Sequence, residues 1–131
     1  MSRPAAKMND KIVGLDIHII LIPSPGGPIP TPIPHPYTGA ITINTSPTVM
    51  IAGMPAATVG SMSVGQPPHI PMGGPFQIPP TNIGKIEMGS VTVQINGKGA
   101  ARLGDPATTC NDVGMMWHSQ VIGAGTVLIG G

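Results

Sequence analysis

The sequence predicts one small all-β domain spanning residues 1–131, made of short strands in a pseudo-three-fold repeat and joined by Pro/Gly-rich loops. Three observations lead there. A short phrase recurs three times, as Pro4-Ala5-Ala6-Lys7, Pro55-Ala56-Ala57-Thr58 and Gly99-Ala100-Ala101-Arg102. A β-branched phrase also recurs three times, as Thr48-Val49-Met50-Ile51-Ala52-Gly53, Thr92-Val93-Gln94-Ile95-Asn96-Gly97 and Thr126-Val127-Leu128-Ile129-Gly130-Gly131. Finally, Gly (19) and Pro (17) interrupt the chain too often for any helix of useful length. The chain starts inside one repeat and ends inside another, so its two ends are expected to complete one unit of a closed three-fold object.

The elements follow in order. Asp16 to Ile22 is a β-branched run and reads as a strand. Residues 23–38 hold seven prolines, which forbid a helix and a central strand; an extended, polyproline-like loop laid against the body is expected. Ala40–Asn44 and Thr48–Ile51 read as strands, followed by a second irregular loop, Gly65 to Pro75. Gly84–Ser90 and Val91–Ile95 repeat the strand pair, and Asn96-Gly97 is a tight-turn signal. Gln120–Ile122 and Thr126–Ile129 make the last pair.

Composition narrows the function. Net charge is +1 and charged residues are 8% of the chain, so there is no basic footprint for nucleic acid. There is neither a long apolar run nor a basic amphipathic stretch for membrane binding, and Met1-Ser2-Arg3-Pro4-Ala5 lacks the apolar run of a secretory signal. Such a Gly and Pro content often signals disorder, but 40% apolar residues gathered in β-branched runs argue for a fold. With one Phe, one Tyr and one Trp the core is thin, and a single cysteine excludes an internal disulfide. A small domain with a thin core usually needs a staple such as disulfides or a metal, which turns attention to the His and Cys positions.

The spacing of His and Cys suits one. His18 lies twelve residues after Ala6, His69 twelve after Ala57, and Cys110 nine after Ala101, so a three-fold arrangement brings them together. His35 is the candidate fourth ligand, in the rigid setting Pro34-His35-Pro36. His118 competes for that place, because it precedes the final strand pair much as His35 precedes the middle one. Three His and one Cys make a closed, structural zinc site. A Cys110 nucleophile with a His base, in a small hydrolase, is the alternative chemistry, but no orienting residue or catalytic signature accompanies it.

The three Ala-Ala phrases, the Thr-Val-x-Ile-x-Gly phrases, Asp16-Ile17-His18, Pro67-Pro68-His69-Ile70-Pro71 and Thr109-Cys110-Asn111-Asp112 resemble the PAAR-repeat proteins, over essentially the whole chain. The resemblance implies a small cone that caps the trimeric β-helical spike of a type VI secretion or related contractile injection system, not an enzyme. It implies a zinc ion near the point, held by His18, His35, His69 and Cys110. It also implies non-covalent effector cargo, transient contact with a target membrane, and residence in the cytoplasm until firing. With no segment beyond the repeats, no effector domain of the chain's own is expected. The chain departs from the family at Lys7, Asn9, Thr58, Gly60-Ser61 and Gly99, but not at the metal positions.

Overall fold

The computed structural model describes residues 2–112 and 119–130. Strands in chain order are β1 (Arg3–Pro4), β2 (Lys11–Ile22), β3 (Ile29–Ile43), β4 (Met50–Ile51), β5 (Met54–Pro55) and β6 (Met62–Gly65). They continue with β7 (Ile83–Ile86), β8 (Gln94–Ile95), β9 (Lys98–Gly99), β10 (Pro106–Thr108), β11 (Ser119–Ile122) and β12 (Leu128–Ile129). There is no helix among the described residues, as the Pro/Gly punctuation dictates. Six strands close an antiparallel barrel in the order β10-β11-β2-β3-β6-β7, and three two-stranded ribbons lie outside it: β1/β12, β4/β5 and β8/β9.

The pseudo-three-fold axis is visible in single hydrogen bonds. The Ala6 N–H donates to Ala101 O (2.9 Å), that of Ala101 to Ala57 O (3.0 Å), and that of Ala57 back to Ala6 O (3.0 Å). All three alanines are wholly buried. Three strand segments approaching one another this closely leave room for a methyl group and little else, which is why the second Ala recurs. After each comes a tight turn with a left-handed residue, Asn9 (φ 75°), Gly60 (φ 91°) or Gly104 (φ 85°). A side-chain oxygen one residue on closes each turn: Asp10 accepts from Lys7 N (3.0 Å), Ser61 from Thr58 N (3.0 Å) and Asp105 from Arg102 N (2.7 Å). The departures at these positions are thus substitutions within one geometry, because Asn tolerates the left-handed region and Ser supplies the same acceptor as Asp.

The ribbons obey the same symmetry. Ala52-Gly53 and Asn96-Gly97 turn with positive φ at both residues, the conformation that matches strand twist in two-residue hairpins. Their pairs Ile51↔Met54 and Ile95↔Lys98 have the same register as Ile129↔Arg3, where the third ribbon is made by segments from the two ends of the chain. Ile51, Ile95 and Ile129 pack with Ala5, Ala56 and Ala100 into one small core. A second core inside the barrel holds Ile12, Tyr37, Ile41, Ile86, Ala107 and Val121 with the three axial alanines.

The proline-rich segment corrects the sequence expectation. Ile29 to Tyr37 is not a loop but the first part of β3, paired residue for residue with β2 from Ile22↔Ile29 to Gly14↔Tyr37. The prolines fall at positions 30, 32, 34 and 36, a strict period of two. Successive residues of a strand direct their backbone groups to opposite edges, so every proline presents its missing N–H to the same edge, away from β2. That edge acquires a partner strand only at Gly39, which pairs with Gly65 at the end of β6. The prolines are exposed, while His35 between them and Tyr37 just after them are buried. Proline in strands is confined to such edges.

Beyond the barrel the β2/β3 hairpin is backed by two segments. Leu21 N donates to Pro75 O and Gln77 N to Ile19 O, both at 2.9 Å, with Ile20 bridged to Phe76 between them. Ile17 N donates to the Asn111 side chain (2.8 Å), and Asp112 N donates to Ile17 O (2.9 Å). These two attachments bring the 66–82 loop and the segment after β10 along the edge of β2 that faces away from β3.

Candidate metal centre

Strand alternation sets the donors on one face. Asp16 and His18 lie two apart on β2 and both point inward; His35 lies opposite Asp16 on β3 and is also buried. The 66–82 loop delivers His69, whose backbone N–H is fixed by the Asn82 side chain (2.9 Å). Cys110 lies two residues after the end of β10. The structure therefore brings the four sequence-predicted residues together from four segments. The three imidazoles meet with ring centroids 4.8 Å (His18–His69), 5.2 Å (His18–His35) and 5.4 Å (His35–His69) apart, and Phe76 lies against His18 and His35 at 5.5 and 5.6 Å. Cys110 Sγ is 3.7 Å from His18 Nε2. His118 falls outside the described residues.

Asp16 joins the group, although the sequence reading passed it over. One donor atom from each of Asp16, His18, His69 and Cys110 lies within 4.8 Å of the others, a cluster able to hold a metal ion; His35, the expected fourth ligand, is not in it. Asp16 Oδ2 is 2.9 Å from His69 Nε2 and accepts from Cys110 Sγ at 3.3 Å, while Oδ1 accepts from Thr109 Oγ1. The signal was present in Asp16-Ile17-His18, since residues i and i+2 of a strand share a face.

The ring nitrogens carry the fit test. His35 Nδ1 lies 2.9 Å from Ile33 O, an acceptor only, so the proton sits on Nδ1 and the Nε2 lone pair is free. That Nε2 is buried and has no hydrogen-bond partner among the described residues. A buried acceptor left unpaired costs on the order of 1–3 kcal/mol, and a cation would satisfy it. His18 Nδ1 lies 3.1 Å from Asp112 Oδ1, which likewise leaves His18 Nε2 facing Cys110.

Electrostatics agree with a cation site. Burial lowers the His18 pKa from its ordinary 6.5, against the opposing pull of Asp112, and so favours the neutral ring that can donate a lone pair. Burial, followed by the Asp16 charge and hydrogen bond, pushes the Cys110 thiol up to about 12. A thiol held protonated in this way is a poor nucleophile at neutral pH, and a bound cation is the usual means of ionising it. Compared with models of known protein families and with curated protein sequences, the chain finds no match.

Proposed function

We propose that this protein is a PAAR-type spike tip: a cap on a trimeric β-helical spike of a type VI secretion or related contractile injection system, with a structural zinc held by His18, His35, His69 and Cys110. The observation that carries the reading is the hydrogen-bonded ring of Ala6, Ala57 and Ala101 with its three equivalent ribbons. A single chain with internal three-fold symmetry suits a three-fold partner, because each ribbon meets an equivalent surface. The ribbons expose apolar side chains at matching positions, namely Val49, Val93 and Val127, with Met50 and Leu128 beside them. Exposed apolar groups arranged in this way are characteristic of interaction surfaces.

The metal reading rests on the donor set. Sulfur and imidazole nitrogen are zinc ligands, and four of them leave no open position for a substrate water. The same closed set makes the centre structural rather than catalytic. When bound, a structural zinc contributes on the order of 10 kcal/mol in small metal-folded domains. At the hairpin end, the turn between β2 and β3 and the 66–82 loop contain no Asp, Glu, Lys or Arg. This end also exposes Ile29, Ile70, Met72 and Ile78, which suits transient contact with a target membrane. The protein would await firing in the cytoplasm on the assembled spike, with effector cargo held non-covalently.

The test is association with a purified trimeric β-helical spike protein of such a system. One chain per trimer is expected, and Met50→Asp together with Leu128→Asp should abolish the complex while leaving the melting temperature within a few degrees. Failure of the unaltered chain to bind any such spike, or binding that survives the double substitution, would overturn the reading.

A further inference from the structure

We infer that Asp112 is a positioning residue that sets the tautomer of His18 and thereby the metal affinity of the centre; this rests on the metal reading above. Asp112 presents two oxygens to two fixed groups of β2. Its Oδ2 accepts the backbone N–H of Ile19 (3.0 Å), and its Oδ1 faces His18 Nδ1 (3.1 Å). Its own N–H donates to Ile17 O (2.9 Å), so its backbone is tied to the same strand. A carboxylate can only accept, hence the His18 proton sits on Nδ1 and the Nε2 lone pair points at Cys110 Sγ, 3.7 Å away. His18 is wholly buried, so in the folded protein Asp112 and not bulk water pairs with Nδ1.

This geometry makes an uncommon prediction for the near-isosteric amide. In Asp112→Asn, Ile19 N–H still requires an acceptor, which fixes the amide oxygen at the Oδ2 position. The NH2 group then faces His18 Nδ1 and donates to it. His18 is driven to the Nε2–H tautomer, and the lone pair aimed at the metal position is lost. Asp112→Ala removes the bias without reversing it. A role limited to holding the backbone predicts the opposite order, because Asn keeps the Ile19 bond and Ala loses it.

The experiment measures Zn2+ affinity by competition with a chromophoric chelator for the unaltered protein, Asp112→Asn and Asp112→Ala. It adds the His18 tautomer of the metal-free proteins from imidazole nitrogen chemical shifts. We expect Asp112→Asn to lose about 10–100-fold in affinity, the usual range for the outer partner of a ligating His. That loss should be at least as great as the loss in Asp112→Ala, and the tautomer should be reversed in Asp112→Asn alone. Affinity in Asp112→Asn within twofold of the unaltered protein, or a larger loss in Asp112→Ala with His18 unchanged in both, overturns the inference. If the unaltered protein binds no Zn2+, the metal reading itself fails.

Discussion

At the residue scale, small groups set the geometry and polar ones fill it. The axial alanines are the clearest case. Ala57→Leu forces added methylenes into a position with no free volume, and overpacking of this kind costs about 1–3 kcal/mol. The expected result is a lower denaturant midpoint with an unchanged slope, read by urea titration. At the metal centre, His35→Ala and Cys110→Ser should lose zinc and thermal stability together. At free metal a thousandfold above Kd, one ion stabilises by about 4 kcal/mol, on the order of 10–20 °C for a domain of this size. The check is zinc content and melting temperature on the same samples. The pH dependence follows from His18. Its folded pKa is lowered, so the unfolded chain binds the proton more readily. Its contribution is therefore complete above the ordinary value of 6.5 and is lost as the pH falls below 6.5 towards the folded value. Melting temperature of the metal-free protein against pH should decline more steeply below 6.5 in the unaltered chain than in His18→Gln, which lacks that titrating ring.

At the element scale, the β2/β3 hairpin joins barrel to centre. It supplies Asp16, His18 and His35, and its outer end is held by the 66–82 loop through Leu21 and Ile19. Gly74 lies so close to the Leu21 carbonyl that a Cβ there would run into it. Gly74→Ala should therefore shift the loop that carries His69 and Phe76. A lower melting temperature and weaker Zn2+ binding are expected, by differential scanning fluorimetry and chelator competition, although residue 74 is not a ligand. The hairpin also marks a limit of reading from sequence. Seven prolines in residues 23–38 argued for a loop, because the rule against proline in strands was applied without the phase of the prolines. The period of two at Pro30, Pro32, Pro34 and Pro36 is the phase that an edge strand permits.

At the scale of the whole molecule, the repeat was legible because three-fold contact repeats the same steric demand: a methyl on the axis, a left-handed turn residue, and an acceptor one residue later. Three of the predicted donors, His18, His69 and Cys110, were legible from their spacing within the repeat, and His35 only from its setting between Pro34 and Pro36. Asp112 was not, because its tie to His18 joins residues far apart in the chain and depends on a register that only the folded hairpin defines. Asp16 lay in plain view but required the strand's phase. The ribbon formed by β1 and β12 implies that connectivity is interchangeable around the axis. A circular permutant that joins the two ends through a short linker and opens the chain between Ala52 and Gly53 should fold with the same zinc content. Circular dichroism and metal analysis would test this, and an unfolded permutant would argue against equivalence of the ribbons.

The central claim is that a metal ion ties the hairpin, the 66–82 loop and the Cys110 segment at one point. The most direct test is zinc per chain by mass spectrometry of the native protein, followed by a melt with and without a strong chelator. The account predicts one zinc per chain and a large fall in melting temperature on chelation. A folded protein that carries no metal, takes none up, and melts identically with chelator present would contradict it.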